Sequence, residues 1–135
     1  MITTKTKLQV RFNDIDLAGH VHNAMYFNYF EIGRIDFFHS VASNDWDWMK
    51  KGILVARNEG DYLKSIKFND NVFVETSCEH VGKKSITLVY KIFRENPDGV
   101  KELCTKGRSI LVCLDFTTNE SVEVFEEWKK VLIKD

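Results

Sequence analysis

Two different periods meet at one polar bend near the start of the chain. Leu8, Val10 and Phe12 alternate with polar neighbours, the period-2 mark of a half-buried strand. From residue 24 to about 41 the spacing changes to threes and fours, and Met25, Tyr26, Tyr29, Phe30, Gly33, Phe37 and Val41 share one helical side. One long helix so early restricts the architecture, because nearly everything behind it reads as strand. Strands are expected over residues 53–62, 72–80, 85–94 and 101–114, with Gly82-Lys83-Lys84 and Asn96-Pro97-Asp98-Gly99 as turns. Between helix and strands, Ser43-Asn44-Asp45 breaks the pattern. Trp46, Trp48 and Met49 are then expected to form an aromatic cover or a short helical turn before Gly52. After a polar turn at residues 117–120, Val124, Trp128, Val131 and Leu132 give a short closing helix its apolar side. Antiparallel strands that bury one face against one helix make an α+β fold.

The chain of 135 residues is 44% hydrophobic, enough for the core of one domain over residues 1–135. Its net charge of −1 comes from interspersed acids and bases, which leaves no global field for nucleic acid or an anionic membrane. An anionic ligand would have to be gripped locally. Residues 1–7 carry no apolar leader, and no run approaches the roughly 18 to 20 apolar residues of a membrane span, so a cytoplasmic protein is expected. Cys78, Cys104 and Cys113 are widely spaced in strand-like contexts and read as buried reduced thiols. No P-loop or G-x-G-x-x-G is present, hence no case for ATP or NAD.

The bend at residues 11–23 carries the chemistry. It sets Asp14, Asp16, His20 and His22 beside a helix start, where unpaired backbone N–H groups and the helix dipole favour developing negative charge. That suits a carboxylate working on a polarised carbonyl. Asp16 reads either as a turn cap or as a nucleophile or general base. If the strand persisted, Asp14 and Asp16 would face the same side. If it ends, Asp14 becomes a turn or salt-bridge residue paired with Arg11 or Arg34. Asn23 stands where an N-cap is expected. Tyr26 can serve the core or line an acyl pocket. Lys83, Lys84 and Ser85 form a turn that is either solvated surface or a phosphate grip. The D-x-D-x-x-x-H-x-H spacing of the bend has the donor types of a Zn²⁺ or Fe²⁺ site.

Asp14, Asp16, Gly19, His20, Val21, Asn23, Tyr26, Phe30, Glu31 and Arg34 together resemble the signature of the 4-hydroxybenzoyl-CoA thioesterase family of hotdog-fold proteins. The resemblance continues through Gly60-Asp61-Tyr62-Leu63-Lys64, Phe68-Asn69-Asp70 and Gly82-Lys83-Lys84-Ser85. It implies a hotdog fold, a curled antiparallel sheet wrapped around a long central helix, and hydrolysis of an acyl-CoA to a carboxylic acid and CoA. On that likeness Asp16 is the catalytic carboxylate, and the N–H of Asn23 or of the next residue is the oxyanion donor. His20 supports the bend or borders the thioester, Tyr26 contacts substrate, and Lys83, Lys84 and Ser85 lie near coenzyme A. The likeness implies no metal and no cofactor, and a homodimer or homotetramer whose partner subunit helps complete the site.

A second hotdog lineage uses a helix glutamate, which makes Glu31 the alternative carboxylate. Two rivals share the fold. One is a hydratase or dehydratase, whose H-F-P signature is missing, and the other is a non-catalytic acyl-thioester-binding protein. Three positions depart from the family pattern: His22 replaces a usual Asn, Ser65 replaces a usual Pro, and the Pro common before the last helix is missing.

Overall fold

A computed structural model describes residues 2–133. The first strand, β1 (Thr3–Leu8), begins earlier than its apolar pattern suggests, and its threonines and lysines mark it as a sheet edge paired on one side only. The strand does not reach Phe12. That residue opens a 3-10 turn, Phe12–Asp14, and is 81% exposed. A second 3-10 turn, Asn23–Met25, leads into α1 (Tyr26–Val41).

Four long strands follow: β2 (Lys51–Tyr62), β3 (Asn71–Val81), β4 (Ser85–Glu95) and β5 (Lys101–Asp115). A two-residue β6 (Glu120–Ser121) and α2 (Glu126–Leu132) close the chain. All pairings are antiparallel, in the order β1-β3-β4-β5-β2 with β6 added to β5. The register shifts between Val55 and Arg57, Cys78 and His80, and Ile92 and Phe93. Such bulges increase local twist and curl the sheet.

Alternate residues build the concave face: Val72, Val74 and Thr76 on β3, Ile86, Leu88 and Tyr90 on β4, Leu111 and Cys113 on β5. Helix α1 lies against this face. Its Phe30 stacks on Tyr90 with centroids 4.6 Å apart, directly over Gly107, where any Cβ would overlap the Phe30 ring. Arg34 is buried too, and donates to Tyr90 Oη at 3.1 Å while its other nitrogen lies 3.7 Å from Glu31. At the far end Trp46 packs on Phe125 and Trp128, and Trp48 on Phe38 and Trp128, which is the expected aromatic cover. Met49 stays outside it, 86% exposed. The three cysteines are buried and unpaired, and burial pushes the Cys113 thiol up to about 11. No helix among the described residues is long and apolar enough to cross a membrane.

Candidate active site

The bend between β1 and α1 is held from inside. Asp14 is fully buried, and its carboxylate accepts from the Arg11 backbone at 2.9 Å, from the Arg11 guanidinium at 3.1 and 3.2 Å, and from Tyr29 Oη at 2.8 Å. Burial alone would raise the Asp14 carboxyl, but these hydrogen bonds together outweigh it and hold it below the usual carboxylate value. Burial and the Asp14 charge push the Tyr29 phenol upward. Asp14 is therefore a salt-bridge residue with Arg11; it ends the 3-10 turn and is buried, whereas Asp16 is exposed, so the two carboxylates do not share one environment.

Asp16 is exposed on the outer side of the bend. Its Oδ1 accepts from Ala18 N at 2.9 Å and His20 N at 3.3 Å, while its Oδ2 has no hydrogen-bond partner among the described residues. The turn needs Gly19, whose φ of +82° is the left-handed region that residues with a Cβ rarely adopt. A bridge between Ile15 and Val21 closes the bend, and His22 N donates to Asp14 O at 2.7 Å. The cap reading and the chemical reading of Asp16 thus fall on different oxygens.

The start of the helix differs from expectation. The cap is His22, not Asn23: Ala24 N donates to His22 Nδ1 at 3.1 Å. Asn23 is instead the first residue of the 3-10 turn. Met25 N donates to His22 O at 2.9 Å and Tyr26 N to Asn23 O. Among the described residues, Asn23 N–H is left without an acceptor.

An open depression of about 440 Å³ brings Asp16, His20, Asn23 and Tyr26 together, with Tyr62 and Lys64 across from them. Tyr26 is buried at its base, 4.9 Å from the Tyr62 ring, and burial pushes its phenol up to about 12. Tyr62 Oη donates to Asn23 O at 3.3 Å and ties the end of β2 to the helix start. On the other side of Asp16 and His22 lies a larger depression of about 990 Å³, lined by Phe12, Ile15, Leu17 and Phe68.

Three expected site residues lie elsewhere. Lys83, Lys84 and Ser85 join β3 to β4 at the opposite end of the sheet. Ser85 pairs with Val112 and Tyr62 with Thr105, so the two ends are seven residues apart along β5, roughly 23 Å. Lys83 sits 3.8 Å from Glu123. Glu31 lines a separate depression with Ile35, Phe38 and Trp48. His20 and His22 do not join the aspartates as ligands: no cluster of three or more metal-binding side chains occurs among the described residues.

Tyr62 and Lys64 join the site, and His22 is the cap, without a local motif that marks them for either role. The first two lie within Gly60–Lys64, and only the fold brings them opposite residue 23.

Residues 10–132 match the model of the thioesterase-like superfamily. The chain belongs to that superfamily. The uncharacterized protein YsmA of Bacillus subtilis (strain 168) is 30% identical over 129 residues, covering 94% of this chain and 83% of YsmA. A thioesterase from Thermus thermophilus, complexed with coenzyme A and Zn, is 31% identical with a TM-score of 0.80, over 95% of this chain and 90% of that one. A mutant 4-hydroxybenzoyl CoA thioesterase complexed with 4-hydroxybenzoyl CoA matches with a TM-score of 0.87 over 96% and 98% of the two chains. Its identity is 16%, so this last likeness is one of fold. The sheet wrapped on α1 in this thioesterase-like chain is the hotdog arrangement.

Proposed function

We propose that the protein hydrolyses an acyl-CoA thioester to a carboxylic acid and free CoA. One observation carries the reading: a carboxylate with one oxygen tied to its turn shares a depression with a backbone N–H, and neither its other oxygen nor that N–H has a partner among the described residues. Hydrolysis needs that pair. Asn23 N–H would stabilise the charge that develops on the thioester oxygen as the carbonyl carbon becomes tetrahedral. Asp16 either attacks that carbon, forming an anhydride that water then opens, or takes the proton of the attacking water. In both routes the C–S bond breaks and CoA leaves as its thiolate, which then takes a proton from solvent or from the protonated Asp16. Next to Asp16, Phe12, Ile15, Leu17 and Phe68 give the hydrocarbon part of an acyl group a surface on which to leave water.

Lys83, Lys84 and Ser85 fit this reading only through a second copy. Strand β2 is a sheet edge with Leu54 and Val55 exposed. Antiparallel pairing of two such edges about a twofold axis reverses the partner's sheet, bringing its β3–β4 turn toward the Tyr62 end of this one. There the lysines of a second copy would meet the CoA phosphates.

The test is a panel of short, medium, long and aromatic acyl-CoAs with free-thiol detection. Turnover of at least one supports the reading. Tight acyl-CoA binding without release of thiol would make the protein a binder. On the wild-type substrate, replacing Lys83 and Lys84 with Ala should raise KM for acyl-CoA and leave KM for a thioester without the nucleotide unchanged.

A further inference from the structure

His22 is a residue of the bend to which the proposed reaction assigns no role, and its ring is engaged. Its Nδ1 accepts the Ala24 N–H at 3.1 Å, its backbone N–H goes to Asp14 O and its carbonyl receives Met25 N–H. The four backbone N–H groups from residue 23 to residue 26 then have three acceptors among the described residues, and the free one is that of Asn23.

We propose that His22 is a positioning residue that selects the oxyanion donor. By occupying Ala24 N–H it holds the first turn closed and leaves Asn23 N–H as the group presented to the thioester. The inference rests on the acyl-CoA reading, which it refines.

The chemistry of the ring adds a condition. An imidazole nitrogen that accepts a hydrogen bond carries no proton, so this contact requires the His22 tautomer with its proton on Nε2. Protonation at Nδ1 would turn the acceptor into a donor facing another donor. The ionisable groups around the same two depressions are Asp16, His20, Tyr26, Tyr62 and Lys64. Of these only His20 is of the same chemical type, and it remains in every variant below. Asparagine can accept the same N–H without titrating, whereas alanine cannot.

Two measurements test the proposal. The first is the tautomer of His22, read from long-range imidazole ¹H–¹⁵N correlations of the folded protein near neutral pH. The Nε2–H form is expected, and the Nδ1–H form would overturn the proposal whether or not the protein is an esterase. The second is kcat and KM near neutral pH for wild type, His22→Asn and His22→Ala. His22→Ala should lower kcat about three- to tenfold, the scale of a lost cap, with KM changed by less than about twofold. His22→Asn should restore kcat, because its amide oxygen can accept the same N–H. Wild-type rates in His22→Ala, or an equal loss in both variants, would each sink the idea. A wild-type protein that hydrolyses no acyl-CoA would instead refute the parent reading, and the tautomer would still be decided.

Discussion

Asp14 and Asp16 stand two positions apart and meet opposite surroundings. Asp14 is sealed beneath α1 with all its acceptor capacity used by Arg11 and Tyr29, whereas Asp16 faces solvent with Oδ2 unengaged by any described residue. A carboxylate with fixed donors on every side is a poor nucleophile and a good anchor. Asp14→Asn puts an N–H₂ group against donors that still need an acceptor, and should cost about 2–4 kcal/mol in urea unfolding. Tyr29→Phe leaves the Arg11 contacts in place and should cost about 1–2 kcal/mol. The sequence told these aspartates apart only through the family likeness, because spacing alone allowed both to lie on one strand. What distinguishes Asp14 is that it ends a 3-10 turn and is anchored by Tyr29, 15 residues away. The exchange of cap from Asn23 to His22 was equally hidden, since both side chains can accept an N–H and only the ring's orientation decides.

At the scale of elements, the patterns that proved legible were those of half-buried surfaces. Helix α1 and strands β3, β4 and β5 each bury one side, so their periods of 3.6 and 2 survive in the sequence. The edge strands differ: β2 is largely exposed, and β1 alternates threonine and lysine with its apolar signal mostly beyond its end. The contact between α1 and the sheet is close at Gly107, beneath the stacked rings of Phe30 and Tyr90. Gly107→Ala should force Phe30 out of that stack and destabilise the fold by about 1–3 kcal/mol, the usual cost of overpacking, seen as a lowered Tm. A change below about 0.5 kcal/mol would mean the ring moves freely.

Across the whole molecule, a polar clamp outside the core ties the loop after β2 to the sheet. Glu102 accepts from Lys64 at 2.6 Å and Arg94 at 3.3 Å, and Arg94 also reaches Asp70 and Ser65 O. Hydrogen bonds from Lys64 and Asn96 lower the Glu102 carboxyl from its ordinary 4.5 to about 2. A carboxyl depressed in the folded state adds stability above its unfolded pKa and loses it as pH falls toward the folded one. Between roughly pH 4.5 and about 2 the wild type should therefore lose Tm faster than Glu102→Gln. Parallel curves would remove Glu102 from the clamp. Lys64 lines the depression at Asp16, so this clamp also supports one wall of the site.

That the β3–β4 turn lies at the other end of the sheet could not be read from the chain. Sequence order does not say which residues share an end until strand pairing is known. The site as proposed is completed by a second copy, and sedimentation should show at least a dimer at micromolar concentration. A fully active monomer would return Lys83 and Lys84 to ordinary surface charges.

Whether Asp16 performs the chemistry is read most directly from kcat of Asp16→Asn on an acyl-CoA that the wild type hydrolyses. Asparagine keeps an Oδ1 for the N–H groups of Ala18 and His20, so the turn should stand while the anionic oxygen is gone. The expected kcat is at least roughly a hundredfold lower, with acyl-CoA still bound and Tm unchanged. A near-normal kcat in Asp16→Asn would exclude Asp16 as the catalytic carboxylate, most pointedly if Asp14→Asn stayed folded and lost the activity.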